Sequence, residues 1–96
     1  MKQRPHFIVH NEGDNVGVVV VEDAVAGQDL TGWIMETDRT IQVKALADVP
    51  LGHKLAMKDI ADGATIIKYD HDIGRAIQSI PAGGYVHAHN IKTKRW

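Results

Sequence analysis

The sequence predicts a mainly β domain, and three observations carry that reading. Apolar residues fall in short runs bounded by Gly, Asn, Asp or Pro. One seven-residue turn phrase recurs four times. Only Ala56-Met57-Lys58-Asp59-Ile60 and Ile73-Gly74-Arg75-Ala76-Ile77 have room for a turn or two of helix, and each is too short or too glycine-bearing to stand alone.

In chain order, Phe7-Ile8-Val9 reads as the first strand. It is followed by a turn rich in Asn, Gly and Asp and a second run from Val16 to Val21. Trp33-Ile34-Met35 and the alternating segment Thr40 to Ala45, with Ile41 and Val43 on one face, read as further strands, as do Thr65-Ile66-Ile67 and Tyr85-Val86. The recurring phrase is apolar-x-x-Gly-x-x-apolar: Ala24 to Leu30, Val49 to Leu55, Ile60 to Ile66 and Ile80 to Val86. A glycine at its centre can take positive φ and release the chain into a strand. Pro50 and Pro81 supply the fixed φ favoured at the first corner of a turn. Unequal spacing of these glycines excludes a solenoid and predicts one turn type reused in a strongly bent sheet.

The 96 residues have room for a single domain, residues 1–96, with a shallow core. Lys and Arg total 11 against 12 Asp and Glu, so no overall basic field favours nucleic acid. The absence of cysteine excludes disulfides, thiolate metal sites and a thiol nucleophile. No apolar run approaches the ~20 residues of a membrane span. The expectation is therefore a cytoplasmic protein that contacts neither membrane nor nucleic acid. Six histidines are the pointed feature of the composition, because imidazole serves both as proton shuttle and as metal ligand near neutral pH.

Candidate functional residues gather after the turns. His53 and Lys54 leave the second turn beside Gly52, where they are placed to act as a base, a ligand or a solvated turn exit. His87 and His89 follow the fourth turn. In an extended strand they would share a face, two imidazoles for one first-row cation or two solvated rings on an edge. Lys68 and Tyr69 end an apolar strand and could meet an anion, with Asp70, His71 and Asp72 just beyond. Asp14 and Asn15 carry ordinary turn chemistry at the entry to the second strand. Lys92 to Trp96 is a basic, aromatic ending suited to docking on a protein partner.

Asp14-Asn15-Val16, Val49-Pro50-Leu51-Gly52-His53-Lys54, Ile66-Ile67-Lys68-Tyr69, Ile73-Gly74-Arg75 and Val86-His87-Ala88-His89-Asn90 together resemble the amino-terminal SAF domain of the altronate and galactarate dehydratases. From about Phe7 to Trp96 the chain is also similar to the separate small subunits of the sulfolactate sulfo-lyases. One departure is that the family usually continues Lys-Tyr with glycine, where Asp70 stands here.

The resemblance implies a SAF-type β-clip fold, a large catalytic partner subunit, an anionic 2-hydroxy-acid substrate and a divalent metal, Fe²⁺ or Mn²⁺. The reaction class it implies is β-elimination, with (2R)-3-sulfolactate giving pyruvate and sulfite as the leading candidate and sugar-acid dehydration as the alternative. Under it, His53, Lys54 and Lys68 are expected to be catalytic and His87 and His89 to be metal ligands. Asp14, Asn15, Tyr69 and Asn90 are expected to bind substrate. A noncatalytic ligand-binding module and a free-standing metal carrier are the competing classes.

Overall fold

The computed structural model describes residues 4–93. The ending Lys94-Arg95-Trp96, read above as part of a docking tail, lies outside the described residues. The described chain folds as β1 (Phe7–Val9), β2 (Val16–Val19), β3 (Asp29–Ile34), β4 (Arg39–Lys44), β5 (Lys54–Ala56), β6 (Thr65–Lys68), β7 (His71–Ala76), β8 (Tyr85–Val86) and β9 (Ile91–Thr93). Six strands form one sheet in the order β4-β3-β1-β2-β5-β8, and β6-β7-β9 form a second. Neighbours run antiparallel except for β1 and β3, which are parallel.

Each of the four turn phrases launches a strand, as the sequence predicts. Gly27, Gly52, Gly63 and Gly83 have φ of 88°, 84°, 85° and 88°, and β3, β5, β6 and β8 begin two residues after them. Hydrogen bonds from Gln28 N to Val25 O, His53 N to Pro50 O, Ala64 N to Ala61 O and Gly84 N to Pro81 O close the turns, with glycine at the third position as a type II turn requires. Pro50 and Pro81 therefore occupy the first position of their turns. This corrects the expectation that they form the first corner, which Leu51 and Ala82 take instead. Asp48 and Asp59 cap two of these corners, accepting from Ala26 N and Ala82 N at 2.8 Å each.

Two apolar clusters fill the interior. One gathers Phe7, Val9, Val19, Leu30, Ile34 and Leu55, and the other gathers Val16, Ala56, Ile60, Ile66, Ile80 and Val86. Strands β2 and β5 feed both clusters, with Val19 and Leu55 in the first and Val16 and Ala56 in the second. These two strands join the halves of the molecule.

Neither segment with room for a helical turn is helical. Lys54–Ala56 is strand, Ile60 makes an isolated bridge to Ile80, and Ile73–Ala76 belongs to β7. Gly74 reads correctly as a helix breaker, but its role is close approach: a Cβ there would overlap the Lys92 carbonyl oxygen of β9. The second apolar run ends at Val19 rather than Val21 because the Val19 amide and carbonyl pair with turn residues, the amide with His53 O at 2.9 Å and the carbonyl with Gly52 N at 2.8 Å. No helix of the described residues is long and apolar enough to cross a membrane.

Substitution at the turn glycines separates strain from overlap. Gly27→Ala meets no atom within 4 Å and carries only the left-handed backbone penalty, about 1–2 kcal/mol. Gly83→Ala adds a Cβ that would overlap the Lys44 carbonyl oxygen, so its loss should exceed that of Gly27→Ala by at least about 1 kcal/mol. Urea midpoints of the two variants measure the difference.

Candidate functional site

Turns two and four sit side by side because their strands pair. In the β5–β8 ladder Lys54 faces Val86 and Leu55 faces Tyr85, and continuing that register by one residue sets His53 opposite His87. The result is a cluster of rings. The Tyr85 hydroxyl lies 2.6 Å from His53 Nδ1. The His53 and His87 ring centres are 5.2 Å apart, and His87 stacks on Tyr85 at 5.4 Å with planes inclined by 12°. His89 approaches Tyr85 from another direction at 5.7 Å. His53 and Tyr85 are half-buried, whereas His87 and His89 are exposed.

His87 and His89 do not share a strand face, which corrects the extended reading of this segment. The strand stops at Val86, and His87–Asn90 form a tight turn in which His87 O accepts from Asn90 N and Ile91 N. Asn90 explains the change of direction. Its side-chain oxygen accepts from His87 N at 2.9 Å, and its amide nitrogen donates to Tyr85 O at 2.7 Å, tying both ends of the turn together.

A second group lies where β2, β5 and β6 meet. The Asp14 carboxylate is fully buried and accepts from Tyr69 N at 2.9 Å, Asp70 N at 2.8 Å and Asn11 N at 3.2 Å. Tyr69 and Asp70 have φ of 55° and 61° between the paired residues Lys68 and His71, the signature of a type I′ hairpin. This left-handed position is one that glycine takes without penalty, and aspartate is among the residues that tolerate it. The Tyr69 ring packs on His10 with centres 3.8 Å apart and carries the Lys68 ammonium 4.3 Å from its own centre. Partial burial pushes the Lys68 amine below its ordinary pKa; the Lys54 charge pushes the same way, and Asp14 opposes both.

The residues singled out from sequence thus divide in two. His53, Lys54, Lys68, His87 and His89 keep polar groups available to a ligand, while Asp14, Asn15 and Asn90 spend theirs on backbone. Asn15 holds β6 through Thr65 O and Ile67 N, at 2.8 Å each. These three side chains hold neighbouring backbone in place. Tyr69 keeps an exposed ring. Tyr85 was not among the residues singled out from sequence, although it stands two positions before His87 inside the fourth turn phrase. His6 lies elsewhere, accepting from Thr31 N through Nδ1 at 2.8 Å.

Among the described residues no group of three or more His, Asp or Glu side chains converges in a way that could hold a metal ion. The imidazoles of His53 and His87, with ring centres 5.2 Å apart, thus lack the third converging ligand of a complete first-row site among the described residues.

Two outcomes follow from this geometry. Replacing Asp14 by Ala leaves three part-buried amides without their acceptor, so stability should fall by about 1–3 kcal/mol in denaturant titration, with loss of the His10–Tyr69 ring contact in NMR. A lysine with a lowered folded pKa binds fewer protons folded than unfolded between its folded value and 10.5, so stability rises with pH across that window. Lys54→Met removes one of the two lowering causes. The Lys68 titration, followed by the ¹³Cε shift, should then move back up toward 10.5.

Residues 5–94 match the family model of the altronate/galactarate dehydratase SAF domain. The chain is 58% identical over 90 residues to the (2R)-sulfolactate sulfo-lyase subunit alpha of Chromohalobacter salexigens, a match covering 94% of this chain and 96% of that protein. It is 51% identical over 55 residues to the subunit of the same name from Paracoccus pantotrophus, covering 57% of this chain and 82% of that one. Altronate dehydratase of Escherichia coli is 41% identical over 80 residues, 83% of this chain but 15% of the dehydratase. The family match over residues 5–94, with 58% identity over 90 residues to a relative covered almost end to end, establishes that the chain belongs to the altronate/galactarate dehydratase SAF domain family.

Proposed function

We propose that this chain is the small subunit of a cytoplasmic lyase that eliminates sulfite from (2R)-3-sulfolactate in company with a separate large subunit. The observation that carries the reading is the near end-to-end identity with a protein named as a sulfolactate sulfo-lyase alpha subunit. The local chemistry supports it: a paired imidazole and phenol stand at the turn that opens onto Lys54, whose charge is felt by Lys68.

In this elimination a base removes the proton from C2, the C2–H electrons form the C2–C3 double bond, and the C3–S pair leaves with sulfite. The enolpyruvate formed then tautomerises to pyruvate. His53 is the group we assign as base. In the tautomer with the proton on Nδ1, Nδ1–H donates to the Tyr85 phenol oxygen at 2.6 Å and Nε2 carries the lone pair that takes the proton. When Nε2 is protonated, Nδ1–H donates to the phenol oxygen, so Tyr85 holds the ring in one orientation through the transfer. Lys54 and Lys68 supply positive charge for the carboxylate and the negative charge that develops at C2. The divalent ion implied by the family would need most of its ligands from the partner, since this chain lacks a converging set among its described residues.

Co-expression of the chain with a large subunit of the dehydratase type, followed by anaerobic assay, tests the reading. Sulfite and pyruvate should appear in equal amounts from sulfolactate, with no keto acid from altronate or galactarate. His53→Ala should lower kcat by about 10²-fold or more. Tyr85→Phe, which removes only the hydroxyl partner of Nδ1, should cost less than His53→Ala. Turnover of the sugar acids in place of sulfolactate, or full activity of His53→Ala, contradicts the assignment.

A further inference from the structure

Beside the ring cluster lies an open cleft of about 400 Å³ between β8 and β9. Its polar lining is Lys54, His87, Lys92 and Thr93, and its apolar lining is Val86, Ala88 and Ile91. No acidic residue lines it. Neither lysine forms an ion pair among the described residues; the two ion pairs found there are Arg39–Glu12 and Lys44–Asp29. Lys92 also sits directly across from Arg75 in the β7–β9 ladder, a like-charge pairing that costs stability unless an anion offsets it. His87 belongs to both the cleft and the ring cluster, with its ring centre 5.2 Å from that of His53, so the two sites adjoin.

Resting on the function proposed above, the geometry points to this cleft as the subsite for the second anionic group of the substrate, the sulfonate on C3, with Lys92 as the residue that selects for it. A sulfonate is an acceptor-only anion whose needs two ammonium groups, an imidazole and a hydroxyl meet. A polyhydroxy chain is poorly served here. Hydroxyls laid over Val86, Ala88 and Ile91 would lose water and find side-chain acceptors only at His87 and Thr93, a mismatch that discriminates against them. The cation at this end also stabilises sulfite as negative charge accumulates on it during C–S cleavage.

Steady-state kinetics of the two-subunit complex test the subsite, with lactate as a competitive inhibitor because it has the carboxylate and 2-hydroxyl but no sulfonate. Lys92→Met should raise KM for sulfolactate by about tenfold or more while kcat changes less. The inhibition constant for lactate should stay unchanged, and Lys92→Arg should restore KM to within about threefold of the parent. An unaltered KM, or a parallel rise in KM and the lactate constant, overturns the subsite while leaving the lyase reading intact. A parent complex that releases no sulfite from sulfolactate overturns both, so the two failures are distinguishable.

Discussion

The structure depends on one repeated interaction, a pair of backbone hydrogen bonds that clamps each glycine turn to a neighbouring strand. Gly27 N, Gly52 N, Gly63 N and Gly83 N donate to Ala45 O, Val19 O, Ala76 O and Ala56 O at 2.7–2.8 Å. The same four strand residues return a bond through their own amides to Gln28 O, His53 O, Ala64 O and Gly84 O. The arrangement is reciprocal. Turn one clamps the strand leading into turn two, turn two clamps the strand leading into turn one, and turns three and four repeat the pattern. Every clamped residue is essentially fully buried, so these bonds form where an unpaired amide would be most costly. A small domain with two modest clusters thereby gains its sharp bends without helices.

The candidate site is a product of that device. Gly52 and Gly83 aim β5 and β8 at each other, and the exits of their turns carry His53 and Tyr85 to within hydrogen-bond distance. Polar residues with short side chains then take the supporting work. Asp14 anchors the left-handed Tyr69–Asp70 corner, Asn15 anchors β6, and Asn90 closes the histidine turn. Longer polar side chains are left for a ligand. Burial first, and the Lys54 charge second, hold the Lys68 amine below its ordinary pKa against the opposing Asp14 carboxylate, and an anion arriving beside the two lysines offsets that cost.

Much of the fold was legible in sequence because its cause is local. The four turns follow from glycine spacing, and the first strands follow from apolar runs between turn residues. Strands β7 and β9 were not legible: they exist through pairing with β6 and with each other rather than through any apolar pattern of their own. His53, Lys54, Lys68 and His87 could be picked out by their position after turns. Tyr85 could not, since its role arises from the β5–β8 register, a contact between residues 32 apart in sequence. The strand reading of His87 and His89 failed for the same reason. The Asn90 side chain bends the segment, and its two bonds are invisible to periodicity.

The central claim is that the chain presents the His53–Tyr85–His87 cluster and its adjoining lysines to a catalytic partner. An experimental structure of the complex with a large dehydratase-type subunit tests it most directly. The account predicts that the His53 and His87 rings lie at the subunit interface, facing a pocket of the larger chain, with the Lys54–Lys92 cleft opening into that pocket. A complex in which these rings face bulk solvent, with the partner docked on the opposite end of the six-stranded sheet, contradicts it.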